Sequence, residues 1–492
     1  MLSGIVERFT RIRRDDPDRA LIHLPLARTT IVARELWDAA AEQRARLEAL
    51  GIGANQLVIY AAGNRPQLLG LWLAGRSLGL ALMPVDSGAT PSELDTLVRT
   101  FGASAVLTAD TAAPLPGRRV PFVRGLALVQ PDDGISRHEY KDAAVLKVTS
   151  GSTGVPKATL TTEQQLLHDA EHITTAMDIR PDDCQMAAIP LTHAYGIGNL
   201  VLPLLLNGTA MVLRNAFVPQ QFVADATAYG ARIFPGAPFM FEHFSAHLPP
   251  GAWPPVLEIL ISAGARLEAD TLRAFHSSFG VKIHSFYGAT ETGGITYDDS
   301  SDLRGEATVG RPMPGVTVTL LPDDGAPEGG GRVHVTSEAV ASGYAGGERF
   351  DEVTGGRSYR TGDLGRFDAR GHLTLTGRVS SFINVAGRKV QPDEVEQVLR
   401  SMPGISDARV LGIDDPARGQ QIVACIVVSP GAEMSTLRLR QFCARRLAPH
   451  KIPRVVVTLD RIPLTERGKT DRRRLEATVA ERLRGSSGTA VL

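Results

Sequence analysis

Eight consecutive residues, Ser150-Gly151-Ser152-Thr153-Gly154-Val155-Pro156-Lys157, bring three hydroxyls, two glycines and one lysine into a single stretch. That set suits a polyphosphate: glycines let backbone amides approach closely, hydroxyls donate hydrogen bonds, and the ammonium offsets negative charge. The pattern is not G-x-x-x-x-G-K-[ST], because Lys157 follows a proline and no Ser or Thr stands beside it to hold a magnesium ion. Read alone, the stretch could instead be a flexible Gly/Ser turn at the surface, the lesser of the two readings.

Other stretches carry chemistry of the same kind. In Phe286-Tyr287-Gly288-Ala289-Thr290-Glu291-Thr292, small residues precede a hydroxyl that can donate to a phosphate and a carboxylate that is a hard oxygen ligand for magnesium. Thr290-Glu291 also fits an exposed helix N-cap. Asp363, in Tyr359-Arg360-Thr361-Gly362-Asp363, sits where an ordinary turn aspartate would. His193, in Pro190-Leu191-Thr192-His193-Ala194-Tyr195-Gly196, lies on an apolar segment, where a histidine is more often a satisfied core residue than a catalyst. Lys469, between Pro463 and Arg473, reads by itself as a solvated lysine in a basic segment.

These residues need a scaffold, and the chain encodes one. Gln56–Ala61, Leu80–Val85 and Ala105–Thr108 read as strands, with helices over Ile31–Leu50 and Gln67–Leu78. Val145, Leu146 and Val148 lead into the glycine-rich stretch as a strand, and Glu163–Met177 follows it as a helix. Strands are expected at Asp183–Pro190, Gly208–Leu213, Ile233–Pro235 and Ile259–Ser262, the alternation of an α/β domain with a largely parallel sheet. From about 310 the strands shorten (Val316–Leu321, Gly331–Ser337, His372–Thr376) around turns such as Pro322-Asp323-Asp324-Gly325. The final section holds two helices (Pro392–Met402, Ser435–Leu447) and three strands (Ala408–Ile413, Gln421–Ser429, Arg454–Thr458), a compact α+β unit. The Gly/Ser-rich tail, Gly485–Leu492, is expected to be disordered.

Composition excludes several classes. The chain has 492 residues and a formal net charge of zero, so nothing favours nucleic acid or an anionic membrane as partner. Aromatics at 5% argue against base-stacking platforms. Cys184, Cys425 and Cys443 are too few and scattered for a disulfide framework or a zinc site, which points to a reducing cytosol. The first twenty residues lack the apolar core of a signal peptide. The most apolar stretches, Leu68–Met83 and Leu200–Leu213, are interrupted short of the ~18 residues a membrane span needs. A cytoplasmic protein is expected.

Taken in order, the motifs resemble the adenylate-forming superfamily of acyl- and aryl-CoA synthetases, peptide-synthetase adenylation domains and luciferases. The resemblance runs from about Ile31, through Met83-Pro84-Val85-Asp86, to Lys469, nearly the whole chain. It implies a large N-terminal domain of mixed α/β sheets (1–377) with a β-rich subdomain (about 310–377), and a small mobile α+β C-terminal domain (378–492). It implies ATP and Mg2+, held by Thr149, Ser150, Gly151, Ser152, Thr153, Gly154 and Lys157 on the phosphates. Thr290 would meet the α-phosphate, and Glu291 the metal. Phe286 and Tyr287 would lie at the nucleotide, Tyr287 stacking on adenine opposite the backbone of Gly264 and Ala265. Asp363 and Arg378 would meet the ribose, a carboxylate suiting a diol because it accepts two hydrogen bonds. Lys469 would bridge the substrate carboxylate and α-phosphate.

The same resemblance implies an acid pocket walled by His193, Ala194, Tyr195, Phe239, Met240, Gly288 and Ala289, mostly apolar. Ala194 replaces the aspartate with which amino-acid-activating domains hold an ammonium, so the expected substrate is a small acid without an α-amino group. Gly387, Arg388 and Lys389 would line a tunnel for the thiol of coenzyme A, the expected co-substrate. The alternative acceptors are an amine or a carrier protein acting in trans, and a catalytically dead nucleotide-binding regulator is the reading from another class. The chain departs from the family pattern at Ala158, usually glycine, at Ser380, usually Asp or Lys, and at Asn384 and Ala386, where lysines are common. Lys147 is unexpected in a buried strand; it would point at solvent or at the acid pocket.

Overall fold

Strands Ala143–Thr149 and Lys157–Thr162 lie antiparallel with Thr149 opposite Lys157, so the two ends of the glycine-rich stretch are neighbours. In this computed structural model the described residues are 4–132, 138–149, 156–214, 217–301, 303, 308–323, 326–379, 383–385, 388–390, 392–415, 419–447, 451–465 and 470–484. They fall into two units, Met1–Val318 with Val335–Tyr359, and Thr319–His334 with Arg360–Leu492.

Two sheets build the first unit. In the eight-stranded sheet the hairpin continues from Lys157–Thr162 through Ala143–Thr149 to Ala81–Pro84, Leu57–Ala61 and Ala105–Ala109. Leu57–Ala61 pairs in parallel with both of its neighbours, while Leu126–Gln130 and Arg118–Val123 close that edge antiparallel. At the other edge, the short strand Gly343–Tyr344 pairs with Lys157–Thr162. The nine-stranded sheet has a parallel centre: Ala20–Leu24, Ala210–Leu213, Cys184–Ala187, Ile233–Gly236, Ile259–Ser262 and Ile283–Ala289. The expected strands are there, with ends that shift by up to three residues. The first sheet is mixed, not largely parallel, because hairpins supply both of its edges.

Local chemistry fixes the joints. Thr162 ends its strand and caps the helix Glu163–Ala176: its hydroxyl accepts from the Gln165 amide at 3.3 Å, and the Gln165 side chain accepts from the Thr162 amide at 2.8 Å. Hairpin and helix therefore meet with no slack. A cluster of aromatics gathers around Ile233–Gly236, where Phe222 and Phe234 meet at 4.6 Å between centroids and Phe241 and Phe275 edge-on at 5.5 Å.

In the second unit, Thr361 sends its buried hydroxyl to the Val333 carbonyl at 2.9 Å, and Leu373–Arg378 pairs antiparallel with the strand through Asp363. The C-terminal sheet runs Arg388–Val390, Ile383–Val385, Gly419–Val428, Ile405–Asp415, with Val455–Thr458 parallel to Gly419–Val428. Val395 and Leu399 of the helix Pro392–Arg400 bury against Ala408, Ile422 and Ala424, and Leu475 and Val479 of Arg472–Arg484 cover the other face at Val423, Cys425 and Val457. This unit thus has a third helix and a hairpin beyond those expected. Gly485–Leu492 and the pair Asp324-Gly325 lie outside the described residues. Among the described residues no helix is long and apolar enough to cross a membrane.

The hairpin of Ile283–Ala289 with Gly293–Tyr297 is tied at its open end by a buried ion pair. Lys282 Nζ lies 2.8 Å from Asp298 Oδ2, with side chains 9% and 5% exposed. Removing one member of such a pair strands the other charge away from water. Lys282→Met is therefore expected to destabilise the first unit by about 3 kcal/mol, read as a lowered thermal or urea midpoint against Lys282→Arg.

Candidate active site

The hairpin tied by Lys282 turns at Thr290-Glu291-Thr292. Ala289 stands opposite Gly293, and the Thr292 amide donates to the Ala289 carbonyl at 3.2 Å. Thr290 and Glu291 thus occupy a tight hairpin turn and not a helix N-cap. The turn is crowded: a Cβ at Gly288 would come within 2.7 Å of the Gly293 carbonyl oxygen, and one at Gly293 within 2.3 Å of Asp169 Oδ1. Gly293 also has φ of +71°, which L side chains rarely adopt.

Glu291 has a fixed neighbour. Tyr344 donates its hydroxyl to Glu291 Oε1 at 2.9 Å, and its oxygen lies 3.0 Å from the Tyr359 hydroxyl. Phe350 seats both tyrosine rings, at 5.2 and 4.7 Å. Burial, the Tyr359 hydroxyl and the Glu291 charge hold the Tyr344 hydroxyl far above the ordinary phenol range, so it remains a donor. Lys157 is exposed, and its Nζ lies 5.6 Å from the Tyr344 ring centroid. The hairpin lysine, the turn carboxylate and a tyrosine of neither motif therefore form one group.

Lys147 is not at the surface. It is 6% exposed and feels the charges of Asp169 and Glu291; burial pulls its ammonium below the usual lysine range, and both carboxylates oppose that pull. Of the two expected orientations, solvent is thereby excluded.

Gly264 and Ala265 follow the strand Ile259–Ser262, which lies beside Ile283–Ala289, the strand holding Phe286 and Tyr287. They are exposed at the carboxyl ends of parallel strands, where open α/β sheets bind ligands. Tyr195 donates to the Ile261 carbonyl at 3.3 Å and stands 5.7 Å from the Phe286 ring. His193 Nε2 is 3.7 Å from Asp86 Oδ2, which brings Met83-Pro84-Val85-Asp86 to the same region. After His193 the helix starts at Ala194–Gly196, widens into a π turn over Ile197–Val201, and resumes at Leu202–Asn207. Phe239 and Met240 open the helix Pro238–His247; Met240 is buried in the core, and Gly288 and Ala289 end their strand.

In the second unit Asp363 and Arg378 are cross-strand partners. Arg378 Nε donates to Asp363 Oδ1 at 2.5 Å, while the Asp363 amide donates to the Thr361 hydroxyl at 3.1 Å. Ser150, Gly151, Ser152, Thr153, Gly154, Ser380, Ala386, Gly387 and Lys469 lie outside the described residues. For Asn384, Arg388 and Lys389 only the backbone is described, in strands Ile383–Val385 and Arg388–Val390.

The AMP-binding enzyme family model matches residues 9–345, and that of the AMP-binding enzyme C-terminal domain matches 394–469. The chain belongs to the AMP-binding enzyme family. The adenylate-forming resemblance and the two-part mixed α/β fold are both borne out. This AMP-binding enzyme is 29% identical to a sulfoacetate–CoA ligase of Cupriavidus necator, over 87% of the chain and 88% of the relative. It is 28% identical to a feruloyl-CoA synthase of an Amycolatopsis species, over 90% and 92%. The crystal structure of ATP-bound MatB from Rhodopseudomonas palustris shares its fold, with a TM-score of 0.81 at 23% identity over 97% of this chain and 99% of that one.

Sequence reasoning missed Tyr344 and Asp169. Tyr359 stands in Tyr359-Arg360-Thr361-Gly362-Asp363, but a Gly-Tyr pair in a polar stretch carries no local signal for Tyr344. The crowding at Gly293 gives a direct test of the turn in this AMP-binding enzyme. Gly293→Ala is expected to lower the thermal midpoint and weaken AMP or ATP binding at least ten-fold by calorimetry, since its methyl group must displace the Asp169 carboxylate.

Proposed function

We propose that this enzyme activates a small organic acid lacking an α-amino group as its acyl-adenylate and then passes the acyl group to coenzyme A. The observation that carries this reading is that the chain aligns over most of its length with relatives named as acid–CoA ligases, with both family domains present. In the first step a carboxylate oxygen of the acid attacks the α-phosphorus of ATP, the bond to the β-phosphate oxygen breaks, and pyrophosphate leaves. In the second, the thiolate sulfur attacks the acyl carbon and AMP departs. Both steps bring anions together, so fixed positive charge and donors aimed at the phosphates supply most of the catalysis.

The roles assigned follow the chemistry of each group. Lys157 and the hydroxyls from Thr149 to Thr153 hold the β- and γ-phosphates, Thr290 the α-phosphate, and Lys469 the reacting oxygens. Tyr287 and the Gly264-Ala265 backbone take the base, and Asp363 with Arg378 the ribose. Glu291 is the carboxylate suited to Mg2+: it offers hard oxygen, and Tyr344 orients it through one oxygen. Among the described residues no cluster of three or more His, Cys, Asp or Glu side chains is arranged for a metal. A magnesium ion here would therefore draw its other ligands from phosphate and water, and it would supply charge neutralisation of the phosphates. His193, Ala194, Tyr195, Phe239, Met240, Gly288 and Ala289 wall the acid site. Residues from 378 onward form the domain that changes orientation between the two steps, presenting Gly387, Arg388 and Lys389 to the thiol. The two relatives are named for acids as different as sulfoacetate and ferulate, so the acid is to be identified by assay.

Two experiments test this reading. Lys469→Ala is expected to abolish acid-dependent pyrophosphate exchange while ATP still binds within a few-fold of the parent; normal exchange would remove Lys469 from the chemistry. A panel of acids assayed with and without coenzyme A then identifies the acceptor, since pyrophosphate release without thioester favours an amine or a carrier protein. Tyr344→Phe removes a hydrogen bond to a charged group, typically about 2 kcal/mol, so the Mg2+ concentration for half-maximal exchange should rise at least ten-fold. An unchanged Mg2+ dependence would exclude the orienting role.

A further inference from the structure

Lys469 lies outside the described residues, but Thr470, one peptide bond further on, is held by both its backbone and its side chain. Thr470 pairs with Leu464 in an isolated antiparallel bridge, and the Asp471 amide donates to the Pro463 carbonyl at 2.8 Å. Asp471 then starts the helix Arg472–Arg484: its Oδ1 accepts from the Arg474 amide at 3.0 Å, and its carbonyl from the Leu475 amide at 2.9 Å. Leu475 and Val479 bury that helix on the C-terminal sheet. These contacts fix where the backbone stands immediately after Lys469.

The side chain of Thr470 has a tether of its own. Arg409, in the strand Ile405–Asp415, donates from Nε to the Thr470 hydroxyl oxygen at 2.8 Å. The same guanidinium donates from Nη1 to Asp407 Oδ1 and to the Ala408 carbonyl, each at 2.6 Å, which fixes its plane. The strand is braced in turn by Glu396, buried on the helix Pro392–Arg400, whose Oε1 accepts from the Val410 amide at 2.9 Å. Arg400 Nη1 lies 3.5 Å from the other Glu396 oxygen and donates to the Ala408 carbonyl at 3.3 Å. The Arg409 and Asp407 side chains are 24% and 36% exposed, and ion pairs in that setting add little stability. What distinguishes Arg409 is the residue that it reaches.

We propose that Arg409 is a positioning residue for the first half-reaction: through the Thr470 hydroxyl it sets the backbone from which Lys469 extends. The inference rests on the reading of Lys469 as the residue that meets the reacting oxygens. A lysine is a point charge on a flexible four-carbon stem, so its side chain supplies reach without direction. Direction has to come from the backbone that carries it. A cation that stabilises a transition state also loses much of its effect when displaced by about 1 Å, so a tether on the next residue bears directly on rate.

The test separates the two half-reactions in the full chain, with the acid and acceptor that the panel identifies. Thr470→Val keeps the side-chain shape and removes the accepting oxygen; Arg409→Met removes the donor. Each is expected to lower kcat for acid-dependent pyrophosphate exchange at least ten-fold, while KM for ATP and for the acid changes less than three-fold. Transfer from supplied acyl-adenylate to the acceptor should stay within two-fold of the parent. General damage would not produce that split, because Arg388–Val390 belongs to the same sheet as Arg409 and both steps would slow together. Thr470→Ser, which keeps the oxygen, should restore exchange, and the double variant should be no slower than the slower single one, since both remove one bond. If Arg409→Met fails to fold, the Val and Ser variants at Thr470 carry the comparison. Exchange within two-fold of the parent in Thr470→Val, or equal loss in both steps, would overturn the inference. Normal exchange in Lys469→Ala would instead reject the reading of Lys469, and this inference with it.

Discussion

Four charged side chains gather where the hairpin, the Thr290-Glu291 turn and the helix Glu163–Ala176 come together in the first unit. Lys157 and Lys147 come from the hairpin, Glu291 from the turn, and Asp169 from the helix behind it. Charges of one sign at such separations and burial would repel strongly, whereas alternating signs allow close packing. The ordering places an exposed ammonium outside and a buried one inside, with the Glu291 carboxylate coupled to the buried one.

The two sheets deliver these groups by different means. The eight-stranded sheet contributes an edge: Gly343–Tyr344 pairs with the returning strand of the hairpin, which puts the Tyr344 hydroxyl within reach of Glu291. The nine-stranded sheet contributes strand ends, since its parallel centre carries Ser262 and Ser285 side by side toward the loops. Tyr344 therefore joins sheets that share no strand, and a single hydrogen bond reports their relative placement within the unit.

Much of this was legible in the sequence, and the reasons are physical. Lys157, Glu291 and Asp363 sit in short segments where glycines and hydroxyls betray an unusual local backbone, and such signals are contained in a few residues. The partnership of Asp363 with Arg378 depends on strand register, which is settled by pairing across the sheet. Tyr344 and Asp169 were hidden for the same reason: each acts on a residue more than fifty positions away. The N-terminal helix Ile5–Asp15 also went unread. Its start depends on distant partners, with the Ile5 amide donating to Glu163 Oε1 at 2.6 Å. Lys147 is the opposite case: a buried lysine is visible in the sequence, and only its partners were missing.

The π turn at Ile197–Val201 has a consequence for how this region tolerates change. A π turn holds one more residue than an α turn, and each residue of an α-helix advances the side chains by about 100°. The extra residue therefore offsets Tyr195, on the first turn after His193, from the buried turns that follow it. One side can change without dragging the other round. Lose that single residue and the helix would run true, but Tyr195 would swing by about 100° relative to everything after it.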